Sequence, residues 1–146
     1  MIILICTFFG HKDTPSSVEP ILISVLTDLI LNKNVRNFYV GNNGNFDYYV
    51  RKTLKKLKQD FPDIIYSVVL AYLPVKNNCE SNEDYSDTIF PDCLENTPPK
   101  YAISKRNLWM INKSDYVVTY VRYNTGGAAK FKEIAEKKHK IVINLP

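Results

Sequence analysis

Cysteine, histidine and glycine are all scarce in this 146-residue chain, at three, two and five residues. The cysteines Cys6, Cys79 and Cys93 form no Cys-x-x-Cys pair, and neither His11 nor His139 has a cysteine nearby. No structural zinc or other metal site is expected, and the thiols are read as reduced. No Gly-x-Gly-x-x-Gly follows the first apolar run, which disfavours ordinary dinucleotide binding. The P-loop pattern is absent as well. The low glycine count and eight prolines exclude a collagen-like or low-complexity chain. The longest apolar run, residues 1–9, reaches about half a membrane span. It lacks a basic leader and a small-residue cleavage site. A cytoplasmic chain without a membrane segment is expected, and no Ser-His-Asp or Cys-His arrangement can be assigned.

What is present suits one globular domain over residues 1–146, with 45% hydrophobic and 23% charged residues. Nineteen basic and fifteen acidic residues give a net charge of +4. That is short of the dense cationic face of a dedicated nucleic-acid binder, so nucleic acid is not the expected partner.

Strand and helix periodicities alternate along the chain. Residues 2–9 form a continuous apolar run ended by Gly10, as in a strand buried on both faces. Ile21, Leu22, Val25, Leu26, Leu29 and Ile30 then make a helical stripe. Ser16 and Glu19 have capping-box spacing at its start, and with Pro20 in the first turn the helix starts at Ser16 or Ser17. A short strand over 37–41 leads into the turn-forming Gly41-Asn-Asn-Gly-Asn45, followed by a second helical stripe, Phe46, Val50, Leu54 and Leu57. Residues 64–73 are the third and most apolar strand. From 74 to 99 the pattern breaks into a long acidic loop carrying Glu80, Glu83, Asp84, Asp87, Asp92 and Glu95. A loop this long inside a compact domain is usually functional or mobile, and here it could act as a lid over the site. Pro98-Pro99 opens a third helix, 116–121 is a strand, Thr125-Gly126-Gly127 opens a fourth helix, and 141–145 is a strand. The expected architecture is α/β: a three-layer, Rossmann-like, doubly wound parallel sheet of five strands in the order 3-2-1-4-5.

Ligands of such sheets bind beyond the carboxyl ends of the strands, where the winding reverses. Here that lies between strands one and four, which lead into Gly10-His11-Lys12 and Thr125-Gly126-Gly127-Ala128. The second segment enters a helix directly, where bare N–H groups and the helix dipole favour an anion. Gly41, Asn42 and Gly44 of the strand-two loop lie on the same edge. These corners point to a phosphate-containing ligand. Each candidate also has an ordinary structural reading: glycine ends strands, His11 and Lys12 suit a solvated loop, and Arg106 a helix surface. Arg106, beside Asn107 and flanked by Leu108, Trp109 and Met110, is a candidate for bidentate anion binding. Trp109 and Met110 are read as core, as by default are Tyr101, Tyr120 and Tyr123, though the tyrosines could stack on a base. Glu133, between Lys130 and Lys137, has surface ion-pair spacing.

Several segments together resemble the SLOG superfamily, which unites DNA-processing SMF proteins with the lonely-guy (LOG) proteins. The similarity is greatest to small bacterial and phage members that open on a Phe-x-Gly-His-Arg-like motif. The matching segments are Thr7-Phe-Phe-Gly-His-Lys12, Tyr39-Val-Gly-Asn-Asn-Gly-Asn-Phe-Asp47 and Val69-Leu-Ala-Tyr-Leu-Pro74. They continue through Thr88-Ile-Phe-Pro91, Lys105-Arg-Asn-Leu-Trp-Met110, Ser114-Asp115 and Gly126-Gly-Ala-Ala-Lys-Phe131. The resemblance implies a Rossmann-like domain that binds a nucleotide or nucleotide-derived ligand, without a further cofactor, and a homodimer formed through helices flanking the sheet. LOG enzymes, which remove ribose phosphate from cytokinin nucleotides, carry an Arg-Lys pair and Pro-Gly-Gly-x-Gly-Thr-x-x-Glu. Arg106, Gly126, Gly127 and Glu133 match this pattern, with Glu133 at the catalytic carboxylate. Asn107 stands for the lysine, Thr125 for proline, Ala129 for glycine and Lys130 for threonine. Lys130 beside a helix N-terminus suits an anionic ligand.

Three functions follow as expectations. The first is a ligand-binding or sensor protein in which the helix after strand four holds phosphate, aided by Arg106 and Lys130. The second is a phosphoribohydrolase-like N-glycosidase or transferase acting on a nucleoside monophosphate, with Glu133 or Asp47 stabilising an oxocarbenium-like centre. The third is a DNA-processing accessory that binds single strands, against which the modest charge argues.

Overall fold

The computed structural model describes residues 2–72 and 88–146. Six parallel strands form one sheet: β1 (Ile5–Gly10), β2 (Asn37–Val40), β3 (Ile65–Val69), β4 (Thr88–Ile89), β5 (Tyr116–Tyr120) and β6 (Ile141–Asn144). Their spatial order is β4-β3-β2-β1-β5-β6. The expected five-strand order is therefore present, and a sixth strand extends its edge. β4 is two residues long and pairs with Val68 and Val69 of β3. Two residues show no periodicity, so the acidic stretch reads as loop throughout; its remaining described part holds a short 3-10 turn, Asp92–Leu94. Residues 74–87 of the expected lid lie outside the described residues.

The helices are α1 (Val18–Asn32), α2 (Gly44–Asp60), α3 (Pro99–Lys113) and α4 (Gly127–Lys137). Alternation along the strands sends neighbouring side chains to opposite faces. Phe8 and Val118 join the α1 and α2 stripes in one apolar cluster. Phe9 and Val117 join Met110 and Ile111 of α3 and Phe131 and Ala135 of α4 in the other. β1 is central and its inner four residues are buried, which explains its unbroken apolar sequence.

Two strand boundaries and one helix cap depart from expectation. Ile2 and Ile3 are 83% and 60% exposed, and β1 begins only where Asp115 anchors it: its Oδ2 accepts the Ile5 N–H at 3.0 Å. β3 ends at Val69, well short of residue 73. The capping box does not form. Ser17 caps α1 and makes no side-chain bond. The third helical residue is then Pro20, which has no N–H for a capping hydroxyl to accept. Glu19 instead bonds Lys52 of α2 at 3.2 Å.

Candidate functional site

Where the winding reverses, between β1 and β5, a cavity of about 560 Å3 opens at the carboxyl edge of the sheet. This is within the roughly 300–1,000 Å3 of small-molecule sites. Gly10, His11 and Lys12 line one side, and Thr125, Gly126, Gly127 and Ala128 the other. Arg106 and Asn107 reach it from α3, and Phe9, Met110 and Phe131 give it an apolar floor. Of the residues singled out in the sequence, Gly41, Asn42, Gly44, Lys130 and Glu133 are not among those lining it.

The glycines have three different physical roles. A Cβ on Gly10 would lie 2.2 Å from Cγ of Phe46, so this residue lets α2 pack against the end of β1. Gly44, with φ +89°, would meet the Lys12 backbone at 2.9 Å. The same approach lets the Asn45 N–H donate to the Lys12 carbonyl at 2.9 Å. Gly126, with φ +93°, and Gly127 meet nothing within 4 Å. Packing requires Gly10 and Gly44, whereas the last two leave open space before the first turn of α4.

Arg106 is 2% exposed and is held by protein acceptors. Its Nε donates to the Asn107 side chain at 2.8 Å and its Nη2 to Asn43 Oδ1 at 2.8 Å. Nη1 donates to Asn42 Oδ1 at 3.3 Å and to the Val69 carbonyl at 3.0 Å. Four of the five guanidinium N–H groups are thus committed within the protein. The expected bidentate anion clamp is instead a strut that holds the β2–α2 loop. Gly41 makes room for it: a Cβ there would lie 2.8 Å from Asp47 Oδ2 and 3.0 Å from the Arg106 Cζ.

Asp47 lines the cavity from the first turn of α2 and is 8% exposed. Its Oδ2 accepts the Asn43 N–H at 3.0 Å, much as the carboxylate of a capping box does. Burial pushes its carboxyl up to about 6, against the Asn43 N–H and the Arg106 and Arg51 charges, which lower it. The signal for Asp47 was in the sequence. It stands three and seven residues before Val50 and Leu54, a carboxylate on an apolar helical face. Arg106 shows the same signature among buried Ala102 and Met110.

His11 is 7% exposed and accepts the Arg122 N–H at Nε2, 2.9 Å away. That bond assigns the ring proton to Nδ1. Tyr123 stacks on the imidazole with centroids 4.0 Å apart and planes 7° from parallel. Burial lowers the His11 pKa, Asp13 raises it, and Arg122 lowers it. The ring is a neutral donor at pH 7. Tyr123, itself 49% exposed, forms the cavity rim.

Glu133 faces solvent, bonded to Lys137 at 3.1 Å with its side chain 66% exposed. The structure does not bring it to the cavity, because the surface ion-pair spacing prevails. Lys130 is exposed on the first turn of α4, its Nζ 5.4 Å from the Phe131 ring. Among the described residues no three His, Cys, Asp or Glu side chains cluster as a metal site would need. No helix among them is long and apolar enough to cross a membrane.

A parallel sheet with helices on both faces and a cavity at the winding reversal defines the doubly wound, Rossmann-like class. Among solved structures the chain is similar to DNA processing protein A (DprA) from Streptococcus pneumoniae, at a TM-score of 0.69 and 13% identity. The match covers 96% of this chain and 49% of that one, so the chain spans about half its length. At this identity the likeness is one of fold. No protein-family model matches the chain, and no curated protein matches its sequence.

Proposed function

We propose that the chain is a SLOG-type ligand-binding or sensor protein that takes a nucleotide or nucleotide-derived phosphorylated molecule in the cavity at the carboxyl edge of the sheet. One observation carries this reading: the first turn of α4 opens on the cavity through Gly126 and Gly127, with nothing within 4 Å of where their side chains would be. The first N–H groups of a helix have no partners within it and attract an anion. The charge pattern supports the same conclusion. The first turn of α4 contains no acidic residue and carries Lys130. A cation beside the positive end of a helix is unfavourable by itself, and an oxyanion seated there reverses the sign. The Nδ1–H of His11 adds a neutral donor, and the exposed Tyr123 ring offers a rim for a planar base.

Calorimetric titration with AMP, inorganic phosphate and adenosine tests the reading. Binding of AMP and phosphate, with adenosine weaker by ten-fold or more, is expected. Equal binding of adenosine and AMP, or no binding of either phosphate compound, would overturn it. A phosphoribohydrolase is the second reading, favoured by the presence of a carboxylate, Asp47, in the cavity. Free adenine released from AMP, followed by chromatography, would establish turnover, and its absence alongside binding would leave the sensor.

A further inference from the structure

Asp47 is a buried carboxylate with one oxygen engaged and, among the described residues, the other without a protein donor. Oδ2 accepts the Asn43 N–H. Oδ1 has no protein donor among the described residues, yet no fully buried side-chain oxygen there lacks a partner. Oδ1 therefore keeps contact with solvent, and the surface Asp47 lines is that of the cavity.

We propose that Asp47 is a specificity-determining residue of this cavity: its free oxygen accepts a hydrogen bond from a sugar hydroxyl of the phosphorylated ligand, so the occupant carries free hydroxyls as well as phosphate. The inference rests on the phosphate-binding reading and adds the second half of the ligand to it. Three features of the site lead there. A ligand that displaces water from Oδ1 without replacing its donor leaves a buried carboxylate oxygen unsatisfied, which sites of this kind discriminate against strongly. A cationic ligand group is disfavoured, because the Arg106 guanidinium already lies close to Asp47, both packed against Gly41. The matching donor is thus neutral. Finally, phosphate at the start of α4 and a base at the exposed Tyr123 rim leave the sugar as the portion nearest the interior wall.

Affinities for AMP, 2′,3′-dideoxy-AMP, IMP and inorganic phosphate, measured on the wild type and on Asp47→Asn, provide the test. In the variant the amide oxygen retains the Asn43 N–H and the amide NH2 replaces the acceptor in the cavity. The wild type is expected to bind AMP about ten-fold or more tighter than the dideoxy compound, and IMP like AMP. In Asp47→Asn the AMP-to-dideoxy ratio should fall close to one, with inorganic phosphate bound no more weakly. A ratio taken within one variant is independent of how much of that variant is folded. Equal wild-type binding of AMP and dideoxy-AMP overturns the role of Asp47 while the phosphate reading stands. Loss of binding with IMP alone moves the donor to the base and also overturns it. If no phosphate compound binds, inorganic phosphate included, the phosphate reading falls first and this inference with it.

Discussion

Nη2 of Arg106 donates to the side-chain oxygen of Asn43, 2.8 Å away, and so joins the two helical layers across the end of the sheet. Arg106 belongs to α3, whose core residues pack with α4 on one face. Asn43 caps α2, whose stripe packs with α1 on the other. The same guanidinium holds Val69 at the end of β3, so one buried cation sets the positions of the elements that wall the cavity.

Arg106→Ala should therefore act on the fold before it acts on any ligand. It strands the acceptors of Asn42, Asn43, Asn107 and Val69 and removes the positive charge facing Asp47. A loss of about 3 kcal/mol is expected, within the range for breaking a buried charge cluster. Arg106→Lys keeps the charge but lacks the planar fork, and about half that loss is expected. Urea denaturation of both variants measures it, and a change within 0.5 kcal/mol, ordinary for surface sites, would exclude the strut.

The glycines should respond with opposite signs. Gly10→Ala drives a methyl group to 2.2 Å from the Phe46 ring and should cost about 1–3 kcal/mol or more. Gly127→Ala meets open space in the first turn of α4 and should be neutral or stabilising by up to about 1 kcal/mol. Under the proposed function it would nonetheless weaken phosphate binding, because the methyl group narrows the approach to the backbone. Thermal melts with and without AMP separate the two effects.

Asp47 has a definite pH signature. Between its ordinary value of 3.8 and about 6 in the fold, the native state holds a proton that the unfolded chain has released. Its contribution to stability is full below that window and is lost as pH rises through it. Relative to Asp47→Asn, the wild type should lose stability from about pH 4 to about pH 6 and change little above pH 7. Denaturation midpoints across that range test the sign, and a difference that rises with pH would contradict it.

His11 works in the other direction. Its pKa is held below 6.5, chiefly by burial. It contributes stability at neutral pH that is lost as pH falls from 6.5 through its folded value, because the unfolded chain takes up the proton first. Tyr123→Ala uncovers the ring and should move its pKa up towards 6.5. Proton NMR titration resolves this readily, since His139 is the chain's other histidine. An unchanged titration in Tyr123→Ala would mean the stack does not shield His11.

The legibility of this chain follows the range of the forces involved. The expected strand order is found because each crossover helix has its own apolar stripe, as in Leu22, Leu26 and Leu29 of α1. β4 escaped because Thr88 and Ile89 acquire strand geometry only by pairing with β3. The expected capping box does not form because the helix starts one residue later, with Ser17 at the N-cap and Pro20, which has no N–H, third in the helix. In the cavity, Gly10 and Gly126 meet from distant parts of the chain, as the doubly wound order requires. Arg106 and Asp47 were visible as charges on apolar faces, but not as members of one cluster.

By itself, the sequence determined the alternation of strands and helices, the parallel sheet and the edge where its loops gather, because periodicity and turn chemistry act within a few residues. Only the tertiary structure decided which side chains enter the cavity. It made Arg106 a strut and, among the described residues, left one oxygen of Asp47 without a protein donor. Those outcomes depend on distances between residues up to 64 positions apart, as Arg106 and Asn42 are, and on which buried group finds a partner first. No local pattern contains that information.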